Sequence, residues 1–116
     1  MEDCIFCKIA AHQIPSQVVY EDDQIMAFND INPVAPVHIL IIPKEHYSSL
    51  LEAGGEATLV LGKIQQVAAQ IARDKGLGST GFRLLTNCGP NAGQVVMHLH
   101  YHLLGGDQLA PIGWSK

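Results

Sequence analysis

Apolar residues along this chain fall into two kinds of run. Val18-Val19-Tyr20 and Ile25-Met26-Ala27-Phe28 flank the polar turn Glu21-Asp22-Asp23-Gln24, a pattern that predicts a β-hairpin. His38 to Ile42 is a third strand-like run, bounded by Asn32-Pro33-Val34-Ala35-Pro36 and by Pro43, since each proline fixes its own φ and restricts the residue before it. Between Glu56 and Lys75 the period changes. Val60, Ile64, Val67 and Ile71 recur at helical spacing, with Lys63, Gln66, Gln70 and Asp74 elsewhere on the wheel, so this is the one long amphipathic helix. Gly76-Leu77-Gly78 ends it. Gly81 to Asn87 reads as a fourth strand and Val95 to Leu104 as a fifth, joined by the loop Cys88-Gly89-Pro90-Asn91-Ala92-Gly93-Gln94. Cys4 to Ala10 reads as a short helical turn before the break at Ile14-Pro15-Ser16. Short strands with hairpin-type connections and one covering helix predict an α+β fold: a five-stranded antiparallel sheet in two layers with one long helix and a short N-terminal helix.

Composition narrows the class. A chain of 116 residues fits one domain, 1–116, large enough for a core but too small for two. With 16% charged residues and a net charge of -4, it lacks the basic surface that nucleic-acid polymers require. The start, Met1-Glu2-Asp3-Cys4, has no basic segment before an apolar stretch, and no apolar run approaches the roughly 18 residues of a membrane span. A cytoplasmic protein with no membrane partner is expected. Three cysteines, two of them in Cys4-Ile5-Phe6-Cys7, suit a reducing compartment and a metal or redox role better than a disulfide framework. A hydrophobic content of 47% is high for so small a domain, which suggests that a second copy covers part of the surface.

The candidate chemistry is concentrated in His98-Leu99-His100-Tyr101-His102-Leu103-Leu104. On a strand, residues two apart point to one face at about 6.8 Å spacing, so three imidazoles line one face and Leu99, Tyr101 and Leu103 the other. Such a face can bind a metal, although a catalytic zinc usually takes three protein ligands. Alternatively one imidazole is a nucleophile whose other ring nitrogen is held by an acceptor. Spacing alone does not choose. The loop from Asn87 to Gln94 contains Gly89 and Gly93 and polar groups able to face an anion, which favours phosphoryl or nucleotidyl chemistry. No Walker lysine motif and no Gly-x-Gly-x-x-Gly after a strand is present.

The histidine string resembles the His-x-His-x-His-x-x signature of the histidine triad family. Ile5-Phe6-Cys7-Lys8-Ile9, Ile14-Pro15, Phe28-Asn29-Asp30-Ile31, Ala35-Pro36-Val37-His38, Ile42-Pro43-Lys44, Gly93-Gln94 and Leu104-Gly105-Gly106 are similar, in order, to segments of its Hint branch. The resemblance covers nearly the whole chain. It implies the family's HIT-like fold and a homodimer with the long helix and fourth strand at its interface. It also implies hydrolysis of the P–N bond of adenosine 5′-phosphoramidates and related purine nucleoside monophosphate conjugates through a nucleotidyl-histidine.

By resemblance, His100 matches the nucleophile, His102 and His38 its supporting histidines, and His98 the first histidine of the triad. Asp30 matches the ribose-binding carboxylate, and Ile5, Phe6, Ile9, Phe28, Ile31 and Leu40 the apolar slot for the base. Asn87, Gly93 and Gln94 match the α-phosphate cradle. Val95 stands near the phosphate where many relatives carry serine or another polar residue, and Asp107 stands where arginine is frequent. The stretch Gln108 to Lys116 is where substrate choice is expected to be set. Cys4, Cys7, His46 and His98 form a candidate structural zinc set, since Cys-x-x-Cys brings two thiolates to one tetrahedral ion and two imidazoles would close it; no catalytic cofactor is expected. Two rival activities remain: a nucleotide-binding regulatory protein with little turnover, and a dinucleoside polyphosphate hydrolase.

Overall fold

The computed structural model describes residues 3–111. Five strands, β1 (Val18–Glu21), β2 (Ile25–Asn29), β3 (Val37–Pro43), β4 (Phe82–Leu85) and β5 (Tyr101–Gly105), pair antiparallel in the order β1-β2-β3-β5-β4. Helix α1 (Ile5–Ala10) precedes them, and α2 (Leu50–Ala53) and α3 (Thr58–Asp74) lie between β3 and β4. The expected α+β architecture, with one long helix and a short N-terminal one, is present.

Each central strand divides its side chains between two apolar clusters, as the period of two requires. Ile25, Ala27, Ile39, Ile41, Tyr101 and Leu103 pack toward Ile64, Val67, Ala68 and Ile71 of α3. The alternate residues Met26, Phe28, Leu40 and Ile42 pack toward Phe6 and Ile9 of α1. Burial on both faces explains why β2 and β3 read as continuous apolar runs rather than as alternating ones. Because α1 has only six residues, it covers a small part of its face. The remainder is left for His38 and His102, which share that side of the sheet with Leu40.

Two elements differ from the sequence reading. The fifth strand spans Tyr101–Gly105 rather than beginning at Val95: the N–H of Leu99 donates to the carbonyl of Tyr47 at 2.6 Å instead of entering a ladder. Alternation nevertheless continues through the irregular part, with Leu99 in the α3-side cluster and the His98 and His100 rings against Phe6. The long helix starts at Thr58, after a 3₁₀ turn at Gly55–Ala57 whose Gly55 carbonyl accepts the Thr58 hydroxyl at 2.7 Å. Of the C-terminal stretch expected to set substrate choice, residues 112–116 lie outside the described residues, as do residues 1–2.

The β1–β2 turn is tied to α3 by Asp22. Its Oδ1 accepts the N–H groups of Gln24 and Ile25, each at 2.8 Å, while Oδ2 accepts the Tyr20 hydroxyl at 2.6 Å and lies 3.0 Å from Lys63 Nζ. Burial alone would raise the pKa of this carboxyl, but these four donors outweigh it and hold it well below the usual range. A depressed folded pKa stabilises the fold above the unfolded value, and that stabilisation is lost as pH falls. Asp22→Asn should therefore cost about 1 to 2 kcal/mol at neutral pH. In urea unfolding its deficit against wild type should shrink steadily below about pH 4, and a gap that stays constant down to pH 2 would contradict this account.

Candidate active site

On the α1 side of the sheet a cavity of about 980 Å³ opens between α1, β2, β3 and the connection after β2. Ile5, Phe6, Ile9, Phe28, Ile31 and Leu40 all line it, so every apolar slot residue expected from the sequence comes together. Ile31 is 91% exposed and forms the rim rather than the floor. Asp30 and His38 supply polar lining to the same cavity. Asp30 follows β2 directly; its N–H donates to the His38 carbonyl at 3.0 Å and its Oδ1 accepts the N–H of Asn32 at 2.8 Å. The carboxylate is thus fixed by backbone on one oxygen, and the other lies 3.4 Å from His38 Nε2.

Backbone groups also determine which nitrogen of each imidazole carries its proton. The Val34 N–H donates to His38 Nδ1 at 3.1 Å, so neutral His38 holds its hydrogen on Nε2 and donates it to His102 Nδ1, 2.9 Å away. His102 accepts at Nδ1 and therefore keeps a hydrogen on Nε2. For His100 the arrangement is reversed. Its Nδ1 lies 2.7 Å from the His98 carbonyl oxygen, which can only accept, so Nδ1 carries the hydrogen and Nε2 presents a lone pair. The His100 carbonyl is itself held by the Thr86 hydroxyl at 2.7 Å. Phe6 meets the His100 ring edge-on at 5.1 Å, and His100 and His102 stand 5.0 Å apart between centroids.

Burial is the main reason His102 and His38 stay neutral. It lowers the pKa of His102 to about 4, with His100 and His38 adding to the effect and Asp30 opposing it. It also lowers His38, again against the pull of Asp30. The tautomers that these hydrogen bonds select place one imidazole lone pair, on His100, beside one imidazole N–H donor, on His102.

The loop after β4 has a more internal role than the sequence suggests. Gly93 takes a left-handed φ of 87°, which glycine adopts without a Cβ clash, and its N–H donates to the Pro90 carbonyl at 3.0 Å. Gln94 is buried, its N–H donating to the Gly89 carbonyl at 3.1 Å. Its side-chain Oε1 accepts the Gly89 N–H at 2.9 Å, and its Nε2 donates to the carbonyls of Ser48 at 2.7 Å and Val96 at 3.0 Å. Gly93 and Gln94 thus shape the loop instead of offering free donors. Asn87 is half-buried, and among the described residues its amide makes no side-chain hydrogen bond. Val95 is 85% exposed at the mouth of the cavity.

A second cluster adjoins the first. The ligand atoms of Cys4, Cys7, His46 and His98 all lie within 4.8 Å of one another. His98 Nδ1 is 3.2 Å from Cys4 Sγ, 3.5 Å from Cys7 Sγ and 3.2 Å from His46 Nδ1, and Cys7 Sγ is 3.3 Å from His46 Nδ1. A tetrahedral zinc with bonds of about 2.0 to 2.3 Å has edges of about 3.3 to 3.8 Å, so the two thiols and two imidazoles fit such an ion. The fully buried His98 places Nε2 2.9 Å from the Pro43 carbonyl. That bond puts the hydrogen on Nε2 and leaves Nδ1 as the ligand atom. Sequence reading named Cys4, Cys7, His46 and His98 together, and the structure brings them together, but it missed Val34, Thr86 and Pro43, whose backbone or hydroxyl groups carry no compositional mark of orienting the imidazoles.

Comparison with known proteins agrees with this geometry. The family profile described as HIT domain matches residues 11–109. The chain is 45% identical over 111 residues to the purine nucleoside phosphoramidase of Escherichia coli, covering 96% of this chain and 93% of that one. It is 50% identical over 105 residues to Protein HitA of Neisseria gonorrhoeae, covering 90% and 97%. Among solved structures, a histidine triad protein from Clostridium difficile superimposes with a TM-score of 0.93 at 52% identity, covering 96% of both chains. A HIT family hydrolase from Clostridium thermocellum does so at 0.92 and 50%, again covering 96% of both chains.

Replacing Gln94 tests the loop assignment. Gln94→Leu leaves the Gly89 N–H and the part-buried carbonyls of Ser48 and Val96 without their partner, which should cost about 2 to 4 kcal/mol in urea unfolding. A change below about 0.5 kcal/mol would mean that the side chain does not brace the loop.

Proposed function

This chain belongs to the HIT domain family, and from that membership we propose that it is a purine nucleoside phosphoramidase acting on adenosine 5′-phosphoramidates and related nucleoside monophosphate conjugates. The observation that carries the reading is the pair of opposed tautomers: a lone pair on His100 Nε2, set by the Nδ1 bond to the His98 carbonyl, beside an N–H on His102 Nε2. The chain's 45% identity to the purine nucleoside phosphoramidase of Escherichia coli, over 93% of that protein's length, supports the reading further. Binding without turnover would not need a nucleophile held in this way.

In the proposed reaction the base lies in the apolar slot and Asp30 accepts hydrogen bonds from the ribose hydroxyls. The lone pair of His100 Nε2 attacks the α-phosphorus, a new N–P bond forms, and the P–N bond to the amine breaks with its electron pair going to the leaving nitrogen. Proton supply is the limiting requirement, because Val95 offers no polar group at the cavity mouth. The resting site keeps His102 neutral, but a bound phosphate anion favours the charged form of a neighbouring imidazole. His102 then donates to the departing amine and returns to its neutral state. Water next attacks the nucleotidyl-histidine, gives its proton to His102, and releases the nucleoside monophosphate as the electron pair returns to His100 Nε2.

We further propose a structural zinc in the Cys4, Cys7, His46 and His98 cluster, supported by the fit of its donor atoms; with four side-chain ligands it has no open position for substrate. A two-fold homodimer in the cytoplasm completes the reading. Its support is the uncovered edge of β4, where Phe82 is 41% exposed, and the 87% exposed Leu59 on α3, surfaces that a self-complementary contact would bury. Protein purified without chelator should contain close to one zinc per chain, and should scatter light as twice the 12.6 kDa chain mass. Less than about a tenth of an equivalent of zinc would remove the metal, and a stable monomer at micromolar concentration would remove the dimer.

His100→Gly should lower turnover of an adenosine phosphoramidate at least about a thousandfold while AMP affinity stays within about threefold, because the slot and Asp30 are untouched. Asp30→Ala should instead weaken AMP binding about tenfold or more. Hydrolysis by His100→Gly at a wild-type rate would disprove the nucleophile, and faster turnover of a dinucleoside polyphosphate by wild type would transfer the assignment to that substrate class.

A further inference from the structure

His98 belongs to both clusters at once. Its ring nitrogen Nδ1 faces the thiols of Cys4 and Cys7 at 3.2 and 3.5 Å, while its backbone carbonyl accepts the Nδ1 hydrogen of His100 at 2.7 Å. Phe6 makes a second connection. It sits between the two cysteines in sequence and meets both the His98 ring, at 5.9 Å and 73°, and the His100 ring, at 5.1 Å and 84°. A third runs through α1 itself, whose Ile5, Phe6 and Ile9 line the large cavity while Cys4 and Cys7 turn toward His46 and His98. With six residues, α1 is far shorter than the roughly 12 to 15 an isolated helix needs, so its position depends on what it is attached to.

We propose that metal occupancy of the cysteine–histidine cluster and nucleotide occupancy of the cavity are positively coupled, with His98 and Phe6 as the positioning residues that link them. The inference rests on the readings of those two places as a metal site and a nucleotide site. The sign follows from the geometry. A metal joining residues 4 and 7 to residues 46 and 98 holds α1 against the sheet and fixes the carbonyl that orients His100. A nucleotide base needs that same wall in that same place. Whichever ligand binds first bears the cost of ordering α1, so the second binds to a site already formed. Linkage then requires the effect to be reciprocal.

The test uses wild-type protein with Zn²⁺ and AMP as the probes. Zinc affinity is measured by competition against a chromophoric chelator with and without saturating AMP, and AMP affinity by calorimetry on zinc-loaded and zinc-stripped protein. AMP should tighten zinc binding about tenfold, and zinc should tighten AMP binding by the same factor within error, in the range usual for coupled sites. Phe6→Leu, which keeps all four ligands, should shrink that ratio whatever it does to either affinity alone. Far-UV circular dichroism is followed at each chelator concentration.

Equal zinc affinity with and without AMP would overturn the coupling and leave both sites standing. Failure to take up zinc would overturn the metal reading together with the coupling. Absence of AMP binding to zinc-loaded protein would do the same to the nucleotide reading. Helix signal lost in step with zinc beyond what the six residues of α1 can contribute would place the linkage in global unfolding and overturn the local route, as would an unchanged ratio in Phe6→Leu.

Discussion

The hydrogen bond from His100 Nδ1 to the carbonyl oxygen of His98, 2.7 Å long, sets the conditions for the rest of the site. A carbonyl that accepts the ring two residues later is turned away from a neighbouring strand, and the His100 carbonyl is likewise taken by the Thr86 hydroxyl. The sheet ladder therefore cannot extend backward past Tyr101. In the β3–β5 pairing the last matched residues are Ile41 and Tyr101, and in β4–β5 they are Leu85 and His102. His100 thus lies just beyond the strand's end, held by a strand on one side without being locked into its pleat.

That bond also explains which parts of the structure were legible from sequence. Side-chain periodicity depends on apolar burial, and burial is strong: Leu99, Tyr101 and Leu103 all join the α3-side core, so the alternation through residues 98–104 was readable even where the ladder is absent. Strand assignment depends on backbone partners instead, and the partners here are a histidine ring, a threonine hydroxyl and the Tyr47 carbonyl. None of these is visible in a pattern of apolar and polar letters. The six apolar residues expected at the slot line one cavity, and they could be picked out because residue type and family resemblance pointed to them together. For the phosphate loop, Gln94 kept its place but not its anticipated freedom, since an amide side chain serves equally well as a ligand donor or as an internal brace, and only the positions of Ser48, Val96 and Gly89 distinguish the two.

Packing on two faces of one sheet separates stability from chemistry. The α3 face is closed by Ile64, Val67, Ala68 and Ile71 along a helix of 17 residues, a contact long enough to fix the sheet whatever happens opposite. Among the described residues the opposite face is covered by the two buried side chains of α1, with the partly buried Ala10, Ile14 and Val96 beside them, and by the imidazoles. Gly105 shows how tightly the far end of β5 is packed, since a Cβ there would meet Leu77 at 2.6 Å. Rigidity at that end and incomplete cover at the other leave the cavity beside the histidines and away from the main core.

Three histidines in strict alternation look equivalent in the sequence, yet the protein holds each of them in a different way. His98 gives its Nε2 hydrogen to the Pro43 carbonyl and turns Nδ1 to the thiols. His100 gives its Nδ1 hydrogen to a carbonyl and keeps a lone pair at Nε2. His102 accepts at Nδ1 from His38, which has itself been oriented by the Val34 N–H, and keeps a hydrogen at Nε2. An imidazole in water exchanges between tautomers, and in a buried site a donor facing a donor or an acceptor facing an acceptor costs on the order of 1 to 3 kcal/mol. That penalty is enough to hold each ring in one tautomer. The repeated residue is therefore held in three different hydrogen-bonding settings by its partners, and those partners are two carbonyls and, through His38, a backbone amide, placed where only this fold brings them.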